Sequence, residues 1–226
     1  MLRGGALNLM EVSDALRRAA NPDDAAPMAA YMRHVAPFLG VKTPARRAAT
    51  KGFIAAARRD LVAPSVVLRT MNDLYALAER EFAYLAIDLF QARVQAFDSD
   101  AIVHGAVSFI DVRPWWDTVD ALRAALGTWI QGRPDQVGSL TEHLLAGSMW
   151  CRRVAITVQL GRRGETDQHL LAEVIRRNLD DTEFFIRKAI GWALRDYAKT
   201  DPEWVRGFLD ANRVTGLAYR EATKHM

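Results

Sequence analysis

Residues 186–192 read IRKAIGW, and the same pattern, an alanine followed by an apolar residue in a helix-favouring context, recurs at 84–90 (YLAIDLF), 118–124 (TVDALRA) and 152–158 (RRVAITV). The alanines Ala86, Ala121, Ala155 and Ala189 lie 35, 34 and 34 residues apart. A further step of 33 reaches Ala222 in REATKH, and a step of 37 backwards reaches Ala49 in RAATKGF, a looser match because threonine follows the alanine. Chance can produce any one match in an alanine-rich chain, but a series at nearly constant spacing is better explained by a repeated structural unit. A unit of this length holds two helices and two turns, and such pairs bury their faces only by stacking on their neighbours.

Helix-start signals fit this reading. Thr43-Pro44, Arg113-Pro114, Ser148 and Asp201-Pro202 each stand before an alanine-, leucine- and arginine-rich segment, and Gly161, Gly164 and the Thr200-Asp201-Pro202 break supply stops. β-Branched runs and Asn-Gly hairpin signals are missing. The expected architecture is all-α: a HEAT-like solenoid of paired antiparallel helices, forming one domain over residues 1–226 because no Pro/Gly/Ser-rich or low-complexity stretch interrupts the series. Equivalent helices would line its concave face, so residues more than thirty positions apart could meet there.

The chain has 226 residues, half of them hydrophobic, and a net charge of +3. It can therefore bury a full core. Cys151 is the single cysteine, which excludes an intramolecular disulfide framework and leaves a cysteine-based zinc site unsupported. No apolar run has signal-peptide length or reaches the ~18–20 residues of a membrane span, so a cytoplasmic protein with no membrane partner is expected. The histidines His34, His104, His143, His169 and His225 show no ligand spacing, and no GxGxxG, Walker A, HExxH or GxSxG motif occurs. Neither a cofactor nor a metal is expected.

Chemistry concentrates in RPWWDTVDAL, residues 113–122. On a helix opening near Pro114, Trp115, Val119, Leu122 and Leu126 form one apolar stripe, while Trp116 and Asp120, at i and i+4, stack an indole on a carboxylate beside it. Asp117 falls in the first turn, where the helix dipole favours a carboxylate, and is read as a capping residue. Trp116 by itself fits a half-buried packing residue and Asp120 a surface ion pair. Arg153 and Trp192, near the repeat alanines one and two repeats further on, favour a groove in which indole faces bracket a sugar or base and arginine grips a phosphate. Lys42, Arg46, Arg47, Lys51, Arg58 and Arg59 follow one another over 18 residues without an acid, and Arg152 and Lys188 add to a possible phosphate track.

Several blocks in the same order carry a family resemblance: PMAAYMRHVAPFLGVKTPARR (27–47), REFAYLAIDL (80–89), WWDTVD (115–120), MWCRRVAITVQL (149–160), EFFIRKAIGWALRDYAKTDPEWV (183–205) and LAYREATKH (217–225). From about residue 12 onward the chain resembles the bacterial DNA alkylation repair enzymes of AlkD type, alkylpurine DNA glycosylases built from HEAT-like repeats. The resemblance implies Asp120 as the catalytic carboxylate, Trp116 and Trp192 as the aromatic residues holding the lesion nucleotide's sugar, Arg153 as the basic residue beside the phosphate, and Tyr31 in the DNA-facing set. It implies an enzyme that removes cationic alkylated purines from double-stranded DNA without a cofactor; a monomer is expected because a capped solenoid binding one duplex has no need to dimerise. Two other readings stay open: a HEAT-like scaffold for a protein partner, and a binder of DNA structures that lacks chemistry.

Overall fold

The computed structural model describes residues 7–224; His225 and the first six residues of the amino-terminal stretch lie outside them. Among the described residues there are thirteen α-helices and no strand. They are α1 (Leu9–Arg18), α2 (Pro22–Tyr31), α3 (Thr43–Arg59), α4 (Pro64–Tyr75), α5 (Arg80–Arg93), α6 (Ser99–Val103), α7 (Trp116–Ile130), α8 (Val137–Leu145), α9 (Met149–Thr157), α10 (Gln168–Arg176), α11 (Phe184–Tyr197), α12 (Pro202–Ala211) and α13 (Gly216–Ala222). None is long and apolar enough to cross a membrane.

The repeat alanines fall in every second helix: Ala49 in α3, Ala86 in α5, Ala121 in α7, Ala155 in α9, Ala189 in α11 and Ala222 in α13. Each repeat is therefore one odd and one even helix, as the spacing predicts. The chain divides into two compact units, 1–125 and 126–226, with the division inside α7. In the first, α1 packs on α3, α3 on α5 and α4 on α5; in the second, α8 packs on α9, α9 on α11 and α11 on α13. Ala86, Ala155, Ala189 and Ala222 are buried, as small residues at helix contacts should be.

Two of the expected starts carry side-chain caps, whereas α3 opens at Thr43 itself and has none. Ser148 accepts hydrogen bonds from the amides of Trp150 and Cys151, and Asp201 accepts one from Trp204. Another start differs: α7 opens at Trp116, two residues beyond Pro114. The cause is Arg113, which sits at φ 46° and donates to the carbonyls of Tyr75, Leu77 and Ala78 at 2.6–2.9 Å, closing the end of α4 with its guanidinium. Burial, then the charge of Arg80, lowers the Arg113 pKa.

Asp117 also departs from its expected role. It does lie in the first turn of α7, but its oxygens are taken by α5: Arg80 donates to them through Nε at 2.9 Å and Nη2 at 2.6 Å, and the Tyr84 hydroxyl donates at 2.6 Å. Arg80, with no solvent exposure, gives its remaining bonds to the Arg113 carbonyl at 2.7 Å and Thr118 Oγ1 at 3.0 Å. Burial works to lower the Arg80 pKa, yet the bidentate carboxylate outweighs it and the pKa rises; Tyr84 is pushed up by burial and by the Asp117 charge. A buried guanidinium without its carboxylate is costly, so Asp117→Ala should destabilise the protein by about 3–5 kcal/mol in denaturant titration. The double variant Arg80→Met/Asp117→Leu should recover most of that loss.

Candidate functional site

The Arg80–Asp117 anchor fixes the first turn of α7 and with it two neighbours, Trp116 just before Asp117 and Asp120 three residues on. Both are half-buried. Across from Trp116 stands Tyr31, the last residue of α2, 71% exposed, its ring edge-on to the indole at a centroid distance of 6.2 Å and 85°. The chain leaves α2 through two left-handed residues, Arg33 and His34, each at φ 56°. It then crosses to α5, where the buried Glu81 carboxylate accepts the amides of Leu39 and Val41 at 3.0 and 2.9 Å. Gly40 between them is at φ 81° and lies so close to the Asn21 carbonyl that no Cβ fits. This loop closes one side of a cavity of about 550 Å³ walled by Tyr31, Phe38, Tyr84, Trp116, Arg46 and Asp88.

The basic residues expected along a phosphate track differ in what they have to offer. Arg46 is 6% exposed, pairs with Asp88, and lies over the Tyr84 ring at 5.3 Å, so it belongs to the cavity wall rather than to the surface. Arg47 and Lys51, on the same helix, are exposed. Arg152 donates to Asn178 at 3.2 Å and Asp181 at 2.7 Å.

In the second unit, α9 carries Arg153 and α11 carries Trp192. Arg153 is 4% exposed; it donates to the Phe185 carbonyl at 2.9 Å and lies 5.8 Å from the centres of both the Phe185 and Trp192 rings. Such cation–π contacts fix the indole's pose through its face. Lys188, one turn before Trp192, forms a 2.7 Å ion pair with Glu221, which also receives Arg195 at 2.7 Å.

The sequence matches the family described as DNA alkylation repair enzyme over residues 12–226. The chain belongs to that family. It is also similar to a solved structure described as "Predicted DNA alkylation repair enzyme from Enterococcus faecalis", at 34% identity and a TM-score of 0.87, covering 92% of this chain and 96% of the other. No curated protein matches it.

Two pairs of expected site residues thus meet in this member of the DNA alkylation repair family: Tyr31 with Trp116, and Arg153 with Trp192. Composition and motif reading missed Arg80, Tyr84, Phe185 and Glu221. A signal existed for Glu221, since it stands 33 residues after Lys188, the same step that separates Ala189 from Ala222. Phe185 lies two turns before Trp192 on the same helical face. Among the described residues no group of three or more His, Cys, Asp or Glu side chains could hold a metal ion.

Glu221 has a measurable consequence. Hydrogen bonds from Lys188 and then Arg195 hold its pKa down at about 2, against an ordinary 4.5. A depressed carboxylate contributes its full stability above the ordinary value and loses it as pH falls through the lowered one. Stability of the wild type should therefore carry a component that fades between pH 4.5 and about 2, and acid titration followed by circular dichroism should show that component missing in Glu221→Gln.

Proposed function

We propose that the protein is a monofunctional DNA glycosylase, acting as a monomer, which hydrolyses the N-glycosidic bond of cationic alkylated purines, N7-alkylguanine and N3-alkyladenine, in duplex DNA and leaves an abasic site. The observation that supports it best is the α7 turn in a chain of this family: one carboxylate, Asp120, a single helical turn from the half-buried indole of Trp116, which Tyr31 flanks.

Alkylation at N7 or N3 gives the purine a positive charge, so the base leaves as a neutral molecule and needs no protonation by the enzyme. As the bond from C1′ to nitrogen breaks, its electron pair goes to the purine and positive charge develops on the deoxyribose. A water then adds at C1′ and gives up a proton. Asp120 stabilises the oxocarbenium-like charge and orients the water, accepting its proton. An unalkylated, uncharged purine would depart as an anion and would have required a second carboxyl group as acid. In the first unit Trp116, extended by Tyr31, has the aromatic face suited to a sugar; in the second unit Trp192 has another, and Arg153 beside it has the positive charge suited to a phosphate. Arg47 and Lys51 are the backbone contacts favoured by their exposure, whereas Arg46, Arg152 and Lys188 each already hold a carboxylate.

Wild-type protein should release free base from duplex DNA carrying N7-methylguanine, and Asp120→Asn should abolish release while binding abasic DNA with little change. Near wild-type turnover by the variant would remove Asp120 from the catalytic role. Replacing Arg47 and Lys51 together by glutamine should flatten the plot of log affinity against log salt by up to about 1.8, roughly 0.9 per lost phosphate contact.

A further inference from the structure

Trp192 shares its face of α11 with Lys188 and Arg195, one turn before it and one turn after, and with Gly191. A side chain at Gly191 would collide with Glu221 Cβ and stand 2.7 Å from the Ala218 carbonyl oxygen, so α13 rests on α11 backbone to backbone at the residue next to the indole. Glu221 lies over that contact. Its two oxygens take Lys188 Nζ and Arg195 Nη1, each at 2.7 Å, and Arg195 also donates to the Glu221 carbonyl at 2.9 Å. The Glu221 side chain is 15% exposed, while Lys188 keeps 41% of its surface in solvent.

We propose that Glu221 is a positioning residue that occupies Lys188 and Arg195, withholding their charge from undamaged DNA while holding the Trp192 face of α11 in place for the lesion nucleotide. Lysine and arginine free to reach phosphates bind any duplex, and each such contact adds sequence- and damage-independent affinity that competes with the search for a lesion. With Glu221 between them the trio carries one net positive charge instead of two. A phosphate approaching Lys188 must displace a carboxylate that already satisfies it. The carboxylate's second ligand and the glycine contact keep α13 seated, so that the same residue sets both the charge beside Trp192 and the surface against which that helix face packs.

The effect on Trp192 rests on the glycosylase reading; the effect on charge does not. Binding to undamaged duplex is therefore measured against salt for wild type, Glu221→Gln, Lys188→Gln and the double variant, with thermal melting as a check of folding. Glu221→Gln should bind undamaged DNA more tightly at low salt, with a log–log slope steeper by about 0.9–1.8, one or two added phosphate contacts. Lys188→Gln alone should leave the slope as in the wild type, and in the double variant it should remove one contact's worth of the added slope. On N7-methylguanine duplex, Glu221→Gln should lower the excision kcat about tenfold without raising KM. An unchanged slope in folded Glu221→Gln, or a slope lowered by about 0.9 in Lys188→Gln alone, overturns the proposal, and the second result stands even if Glu221→Gln fails to fold. Undiminished kcat in Glu221→Gln overturns it as well. Absence of base release by the wild type defeats the glycosylase reading instead, and the salt slopes still decide whether Glu221 withholds charge.

Discussion

Arg80 carries a permanent positive charge with no exposure to water, and the first unit is arranged around satisfying it. A buried guanidinium without partners is far costlier than a surface one, so its donors dictate where other groups must be. Two reach Asp117, one reaches the Arg113 carbonyl and one is shared with Thr118. These bonds determine where α7 begins and how it is rotated. Trp116 and Asp120 are placed by the same bonds, because on a helix the direction of one residue sets the directions of its neighbours. The network orients the side chains proposed for the chemistry, and two of its members, Tyr84 and Asp117, line the cavity beside Trp116.

The same arrangement returns along the chain with different residues. Four pairs of neighbouring odd helices are joined by a polar bond: Arg46 to Asp88 between α3 and α5, Arg80 to Asp117 between α5 and α7, Arg153 to the Phe185 carbonyl between α9 and α11, and Lys188 and Arg195 to Glu221 between α11 and α13. Stacked repeats meet mainly through apolar faces, which are not directional; at these four steps a directional bond fixes the register. Several arginines that a composition count would assign to solvent or to phosphate are spent on this task.

Much of this was legible in advance. The evenly spaced alanines gave the number of helices per repeat, because a small residue is needed wherever equivalent helices approach, and Ser148 and Asp201 marked their helix starts through local hydrogen bonds within three residues. Trp116 and Asp120 could be assigned to one face from their spacing alone. The roles of Asp117 and Arg46 could not. Within its own helix one resembles a dipole cap and the other part of a basic run, whereas each is claimed by a partner 37 or 42 residues away.

Sequence by itself determined the helical class, the two-helix repeat, the caps and the side-by-side placement of indole and carboxylate, since these depend on the 3.6-residue period and on contacts within a few residues. Tertiary structure decided which charges are already paired, that α7 opens at Trp116 instead of Pro114, and that Tyr31 meets Trp116 while Arg153 meets Trp192. Ion pairing between helices depends on distance and burial, and neither is encoded in the order of residues along one helix. Only packing brings Glu221 to the face of α11 that carries Trp192, and only packing buries Arg80 deeply enough to need Asp117.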